Sequence, residues 1–143
     1  MNATTPRITL DHIAIAVPDL AQTVQALESL FSVHSAPVEE VPSEEVRLSF
    51  LDVGNARIEV LEPTARHSAI GRFVGAGRTG VHHLSFRVEG VELGAFCASL
   101  KARGVEIVGE GLRPGAESTR VFFVNPRSTG GVLVEFSQKE PSA

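Results

Sequence analysis

The chain has 143 residues, enough for one well-filled core and short for two independent ones. Its formal charge of −4 and pI near 5.7 offer no basic face for nucleic acid, and eight Phe without Trp or Tyr remove the usual base-stacking platforms. A lone cysteine, Cys97, excludes an intrachain disulfide. With no hydrophobic leader and no apolar run long enough for a bilayer, the expectation is a cytoplasmic protein with neither membrane nor nucleic-acid partners.

In chain order, residues 11–17 alternate as a strand, with Ile13, Ile15 and Val17 on one face and His12, Ala14 and Ala16 on the other. Alternation predicts that the Ile face packs and that His12 points away from the packed side, among small residues. A helix follows from Pro18 or Asp19, with Asp19 as N-cap and Leu20, Val24, Leu27, Leu30 and Phe31 at helical spacing. Pro42-Ser43-Glu44-Glu45 reads as a solvated turn. Two strands then span 46–63 around a Gly54-Asn55 hairpin. The link 64–78 carries a short helical pattern at Ile70, Phe73 and Val74.

The second half repeats this order. A strand at 82–88 puts His83, Ser85 and Arg87 on one face and Leu84, Phe86 and Val88 on the other, which leaves His82 on the packed face. The helical stripe of 91–103 is Leu93, Phe96, Cys97 and Leu100, closed by Gly104 as C-cap. Pro114-Gly115 and 127–131 read as glycine-rich loops, and the last strand places Leu133, Glu135 and Ser137 opposite Val132, Val134 and Phe136. Residues 1–7 and 139–143 are expected to be tails.

Each half therefore reads βαβββ, and the expected fold is α+β, two tandem modules forming a cupped mixed sheet within one domain, 8–138. Module 1 covers about 8–63 and module 2 about 79–138. Aligning the halves sets His12 against His83 and Glu59 against Glu135, so two imidazoles and two carboxylates recur in register. Such ligands suit a divalent transition metal. His34, His67 and His82 do not recur and are read as structural.

The segments LDHIAIAVPDL, GNARIEVLEP, GVHHLSFRV, LRPGAESTRVFFVNPRSTGG and VLVEF give residues 8–138 a resemblance to the vicinal oxygen chelate superfamily, and within it to the methylmalonyl-CoA epimerase family. The first segment is common to many members; GVHH with PRSTGG and the preceding RPG is more specific. The resemblance implies His12, His83 and Glu135 as metal ligands. A further position, glutamine in some members, falls on Glu59, whose role stays open between ligand, base and both. Some epimerases carry a catalytic glutamate where this chain has Leu48, which moves the base function to Glu59.

The implied activity is interconversion of (R)- and (S)-methylmalonyl-CoA by α-proton abstraction and return through a metal-stabilised enolate, with Glu59 and Glu135 as the catalytic pair. The implied cofactor is a divalent ion among cobalt, manganese, zinc and iron, the substrate is an acyl-CoA, and the assembly is a homodimer. The loop 112–131 would meet the substrate: Arg113, Arg120 and Arg127 the coenzyme phosphates, and Ser128, Thr129 and Gly130 a carboxylate. Asn125 stands where the family often has histidine. Rival readings are a lactoylglutathione lyase, a non-catalytic binding module and an extradiol dioxygenase. The RPG and STGG signals argue against the lyase, the retained ligands against a binding module, and the short chain against the dioxygenase.

Overall fold

The computed structural model describes residues 5–141; the outermost parts of the two expected tails, 1–4 and 142–143, lie outside the described residues. The chain divides into two compact units, His12–His82 and a second that joins the described residues up to Asp11 to those from His83 onward.

The elements of the first half are β1 (Arg7–Ala16), α1 (Leu20–Phe31), β2 (Glu39–Val41), β3 (Val46–Asp52), β4 (Arg57–Pro63) and α2 (Ala69–Val74). Its strands run in the order β2-β3-β4-β1. The β1/β4 pair is parallel and the other two antiparallel, so α1 serves as part of the crossover that a parallel pair requires. Val53 N–H closes the β3–β4 hairpin on Ala56 C=O at 3.0 Å, with Gly54 at φ +100, a conformation that glycine adopts without strain.

Asp19 caps α1 through a 3.0 Å bond from Gln22 N–H. Leu20 and Val24 meet Val17, Leu51 and Val60, with Ile15, Leu27 and Ile58 packed around them. The expected stripe does not extend to the end of the helix. Leu30 is 73% exposed and Phe31 41%, since Leu30 falls about a quarter turn off the line of Leu20, Val24 and Leu27 and the helix stops at Ser32 in a left-handed turn.

The second half holds β5 (Gly80–Glu89), α3 (Leu93–Ala102), β6 (Arg113–Pro114), β7 (Thr119–Val124) and β8 (Val134–Lys139), in the strand order β5-β8-β7-β6 with β5/β8 parallel. The α+β character and the βαβββ element order of each half match expectation. Several boundaries differ. Strands β1 and β8 take in Arg7 and Lys139, residues expected in the tails. Helix α3 starts at Leu93 rather than Val91, because the Glu92 carboxylate accepts from Ala95 N–H at 2.8 Å and caps it there. Arg113-Pro114, at the start of an expected loop, pairs with Val121 and Arg120, a place open to proline because β6 is an edge strand.

The Ile15 and Val17 side of β1 packs against α1 as expected, but burial shows that the opposite face is not open. Ala14 and Ala16 are fully buried and His12 is 5% exposed, while Ile13 and Ile15 are only half-buried. The histidine-bearing face of β1 is covered, and its small residues leave room for the cover.

Candidate functional site

Within the unit His12–His82, parallel register sets Ala14 beside Glu59, and antiparallel register sets Phe50 across from it. Alternation along each strand then puts His12, Glu59, Phe50 and Leu48 on one face, opposite the Ile15, Ile58 and Val60 side that meets α1. His12 Nε2 lies 3.6 Å from Glu59 Oε1, and the two side chains are each 6% exposed. The edge of the His12 ring meets Phe50, centroids 5.2 Å apart at 73°, which fixes the imidazole plane. The Arg57 guanidinium lies over the Phe50 ring, 4.0 Å from its centroid. Leu48, 3% exposed, adds an apolar wall to this face and no proton carrier.

The other unit builds the same arrangement from the second repeat. Ser85 pairs with Glu135 in parallel register and Phe123 with Glu135 in antiparallel register. His83 Nε2 is 3.9 Å from Glu135 Oε2, and the His83 ring stands edge-on to Phe123 at 5.4 Å and 89°. One contact differs in kind: Ser85 Oγ donates to Glu135 Oε1 at 2.6 Å. Arg113 reaches over the Phe123 ring at 5.6 Å and donates to Val108 C=O.

Each unit thus pairs a buried imidazole with a buried carboxylate, His12 with Glu59 in one and His83 with Glu135 in the other. Imidazole nitrogen and carboxylate oxygen are donors that fit a divalent transition ion.

The remaining expected residues fall in distinct places. Arg120 shares its strand face with Phe122, which packs under α3, and its guanidinium is taken by Glu92 at 2.8 Å and Glu140 at 3.8 Å. It therefore braces the start of α3 rather than joining the face that carries His83. The Glu92 carboxyl is held below its ordinary pKa, first by the Gly94 and Ala95 amides and then by Arg120. Arg127 is exposed at the tip of the 126–131 loop. Ser128 Oγ accepts from Glu106 N–H at 3.0 Å and ties the loop to that segment, while Thr129 Oγ1 donates to the Pro126 and Val132 carbonyls and holds the loop itself. Gly130 and Gly131 take φ of +75 and +113 there. His82 packs edge-on against Phe73 at 5.0 Å, and burial lowers its pKa; burial likewise raises that of the Cys97 thiol.

Ser85, Phe50 and Phe123 escaped the sequence reading. The repeat carried the signal for the two phenylalanines, since each precedes its glutamate on the neighbouring strand. No periodicity separates Ser85 from an ordinary small strand residue.

Comparison with known proteins first defines a class. Residues 11–123 match the profile of the Glyoxalase/Bleomycin resistance protein/Dioxygenase superfamily, and the paired βαβββ units are the vicinal oxygen chelate fold. Within it, the chain is 36% identical over 132 residues to the ethylmalonyl-CoA/methylmalonyl-CoA epimerase of Cereibacter sphaeroides, covering 90% of this chain and 96% of that one. It is 32% identical over 130 residues to the human mitochondrial methylmalonyl-CoA epimerase, covering 90% and 73%. The crystal structure of the Mycobacterium tuberculosis methylmalonyl-CoA epimerase superposes with a TM-score of 0.85 at 30% identity, over 93% of this chain and 89% of that one. A variant of the Streptomyces coelicolor epimerase in complex with 2-nitronate-propionyl-CoA superposes with a TM-score of 0.84 at 29% identity, over 94% and 100%. The chain thus belongs to the methylmalonyl-CoA epimerases of this superfamily, a family of isomerases.

Proposed function

We propose that this chain interconverts the two epimers of methylmalonyl-CoA, with Glu59 as the proton-transferring base and His12, His83 and Glu135 as holders of a divalent ion drawn from cobalt, manganese, zinc and iron. The observation that carries the reading is the buried imidazole–carboxylate pair repeated in each half, His12 Nε2 at 3.6 Å from Glu59 Oε1 and His83 Nε2 at 3.9 Å from Glu135 Oε2. A base next to a cation site is what removal of a proton between a thioester and a carboxylate requires.

When bound, the ion would supply Lewis-acid stabilisation for the negative charge that develops on the thioester oxygen. The work of the chain is positional. Phe50 and Phe123 set the planes of the two imidazoles, and Leu48 and Phe50 share the buried strand face that carries Glu59. Removing the α-proton flattens the carbon, and reprotonation on the opposite face gives the other epimer. Glu135, the second carboxylate of the catalytic pair, would both hold the ion and return the proton. Arg113 and Arg127 would meet the coenzyme phosphates. The domain would be single, 8–138, working in the cytoplasm as a homodimer. No helix among the described residues is long and apolar enough to cross a membrane.

One epimer of methylmalonyl-CoA, incubated in deuterated buffer with protein loaded in turn with each of the four metals, tests the reading. Deuterium at the α-carbon with appearance of the other epimer is the expected result. No exchange with any of the metals would sink it.

A further inference from the structure

The two halves present equivalent faces with one difference beside the glutamates. At the register position next to Glu59 the first half has Ala14, and at the matching position next to Glu135 the second has Ser85. Both positions are fully buried. Ser85 spends its hydroxyl on Glu135 Oε1 at 2.6 Å, the short distance typical of a charge-assisted bond to a carboxylate. The bond turns the other oxygen, Oε2, toward His83 Nε2, 3.9 Å away.

We infer that Ser85 is a positioning residue that locks the Glu135 carboxylate in the orientation needed for a cation ligand. A ligand carboxylate gains from being fixed, because the ion then meets an oxygen already in place. This role for Ser85 rests on the three-ligand reading above, and it concerns cation affinity before it concerns turnover.

The test is cobalt(II) alone, titrated against a chromophoric chelator, with wild type, Ser85→Ala and Ser85→Cys, each checked for native circular dichroism. Loss of an outer partner of a metal ligand typically costs about 10–100-fold in affinity, and Ser85→Ala should raise the cobalt Kd by that factor. Ser85→Cys, a similar shape with a weaker donor, should fall between, and it decides the matter if the alanine variant does not fold. An unchanged Kd in a folded variant, or no cobalt binding by the wild type, would overturn the inference. Deuterium exchange by the wild type is scored separately. Tight cobalt binding that weakens in Ser85→Ala, without any exchange, would defeat the epimerase reading and leave the role of Ser85 standing; normal exchange with an unmoved Kd would do the reverse.

Discussion

The half-site of His12 and Glu59 and that of His83 and Glu135 are built from the same parts: a histidine on a strand, a glutamate on its parallel neighbour, and a phenylalanine on the next strand set edge-on to the histidine. Duplication supplies equivalent geometry, and single substitutions then vary it. Ser85 against Ala14 is one such change. Another lies three residues beyond each glutamate, where Glu62 corresponds to Gln138.

Gln138 accepts from Leu93 N–H at 3.1 Å and donates to Val88 and Val91 carbonyls at 3.0 and 2.8 Å, so one amide ties the end of β5 to the start of α3. Glu62 accepts from Leu20 N–H at 3.4 Å but has no proton to give; its other oxygen meets Arg47 instead, at 3.0 Å. An amide can staple donors and acceptors at once, whereas a carboxylate must recruit a cation.

The largest effect should come from Glu59→Gln, which keeps the shape and removes the base. We expect deuterium exchange to drop about 10²–10⁴-fold with the cobalt Kd unchanged, whereas Glu135→Gln should lose cobalt first. Equal loss of metal in both variants would erase the division of labour between the halves. The cores are expected to behave alike. Phe122→Ala and Leu51→Ala, each emptying a fully buried position, should cost about 3–5 and 2–5 kcal/mol respectively in denaturant unfolding; a large effect confined to one of them would show that the two units do not unfold together.

The staples should not behave alike. Gln138→Ala strands two carbonyls and an amide and should cost about 1–3 kcal/mol, while Glu62→Gln should shift the midpoint much less, because its Arg47 partner is 45% exposed. The smallest effect is at Glu92. Its folded carboxyl is held below the ordinary value of 4.5, so its contribution is present above that pH and is lost as pH falls through the depressed folded value. Thermal melts of wild type and Glu92→Gln should differ slightly at neutral pH and converge on acidification; a gap that persists in acid would remove the charge from its role.

Much of this protein was legible in the chain. The repeated order of elements follows from alternation and helical spacing, which are local properties of the backbone; the family resemblance rests on the motifs that hold His12, His83 and Glu135. Those patterns do not say which of two covered faces is better buried, and the small residues around His12 misled on that point. Nor could spacing show that Arg120 turns to Glu92 and Glu140, or that Ser128 takes the Glu106 amide. Those outcomes depend on partners distant in the chain. The sequence by itself determined the two-copy architecture and the kinds of atoms available for chemistry. Strand register alone decided that Ser85 sits beside Glu135 and Ala14 beside Glu59, because which side chains meet across parallel strands is set by how two long segments close on each other.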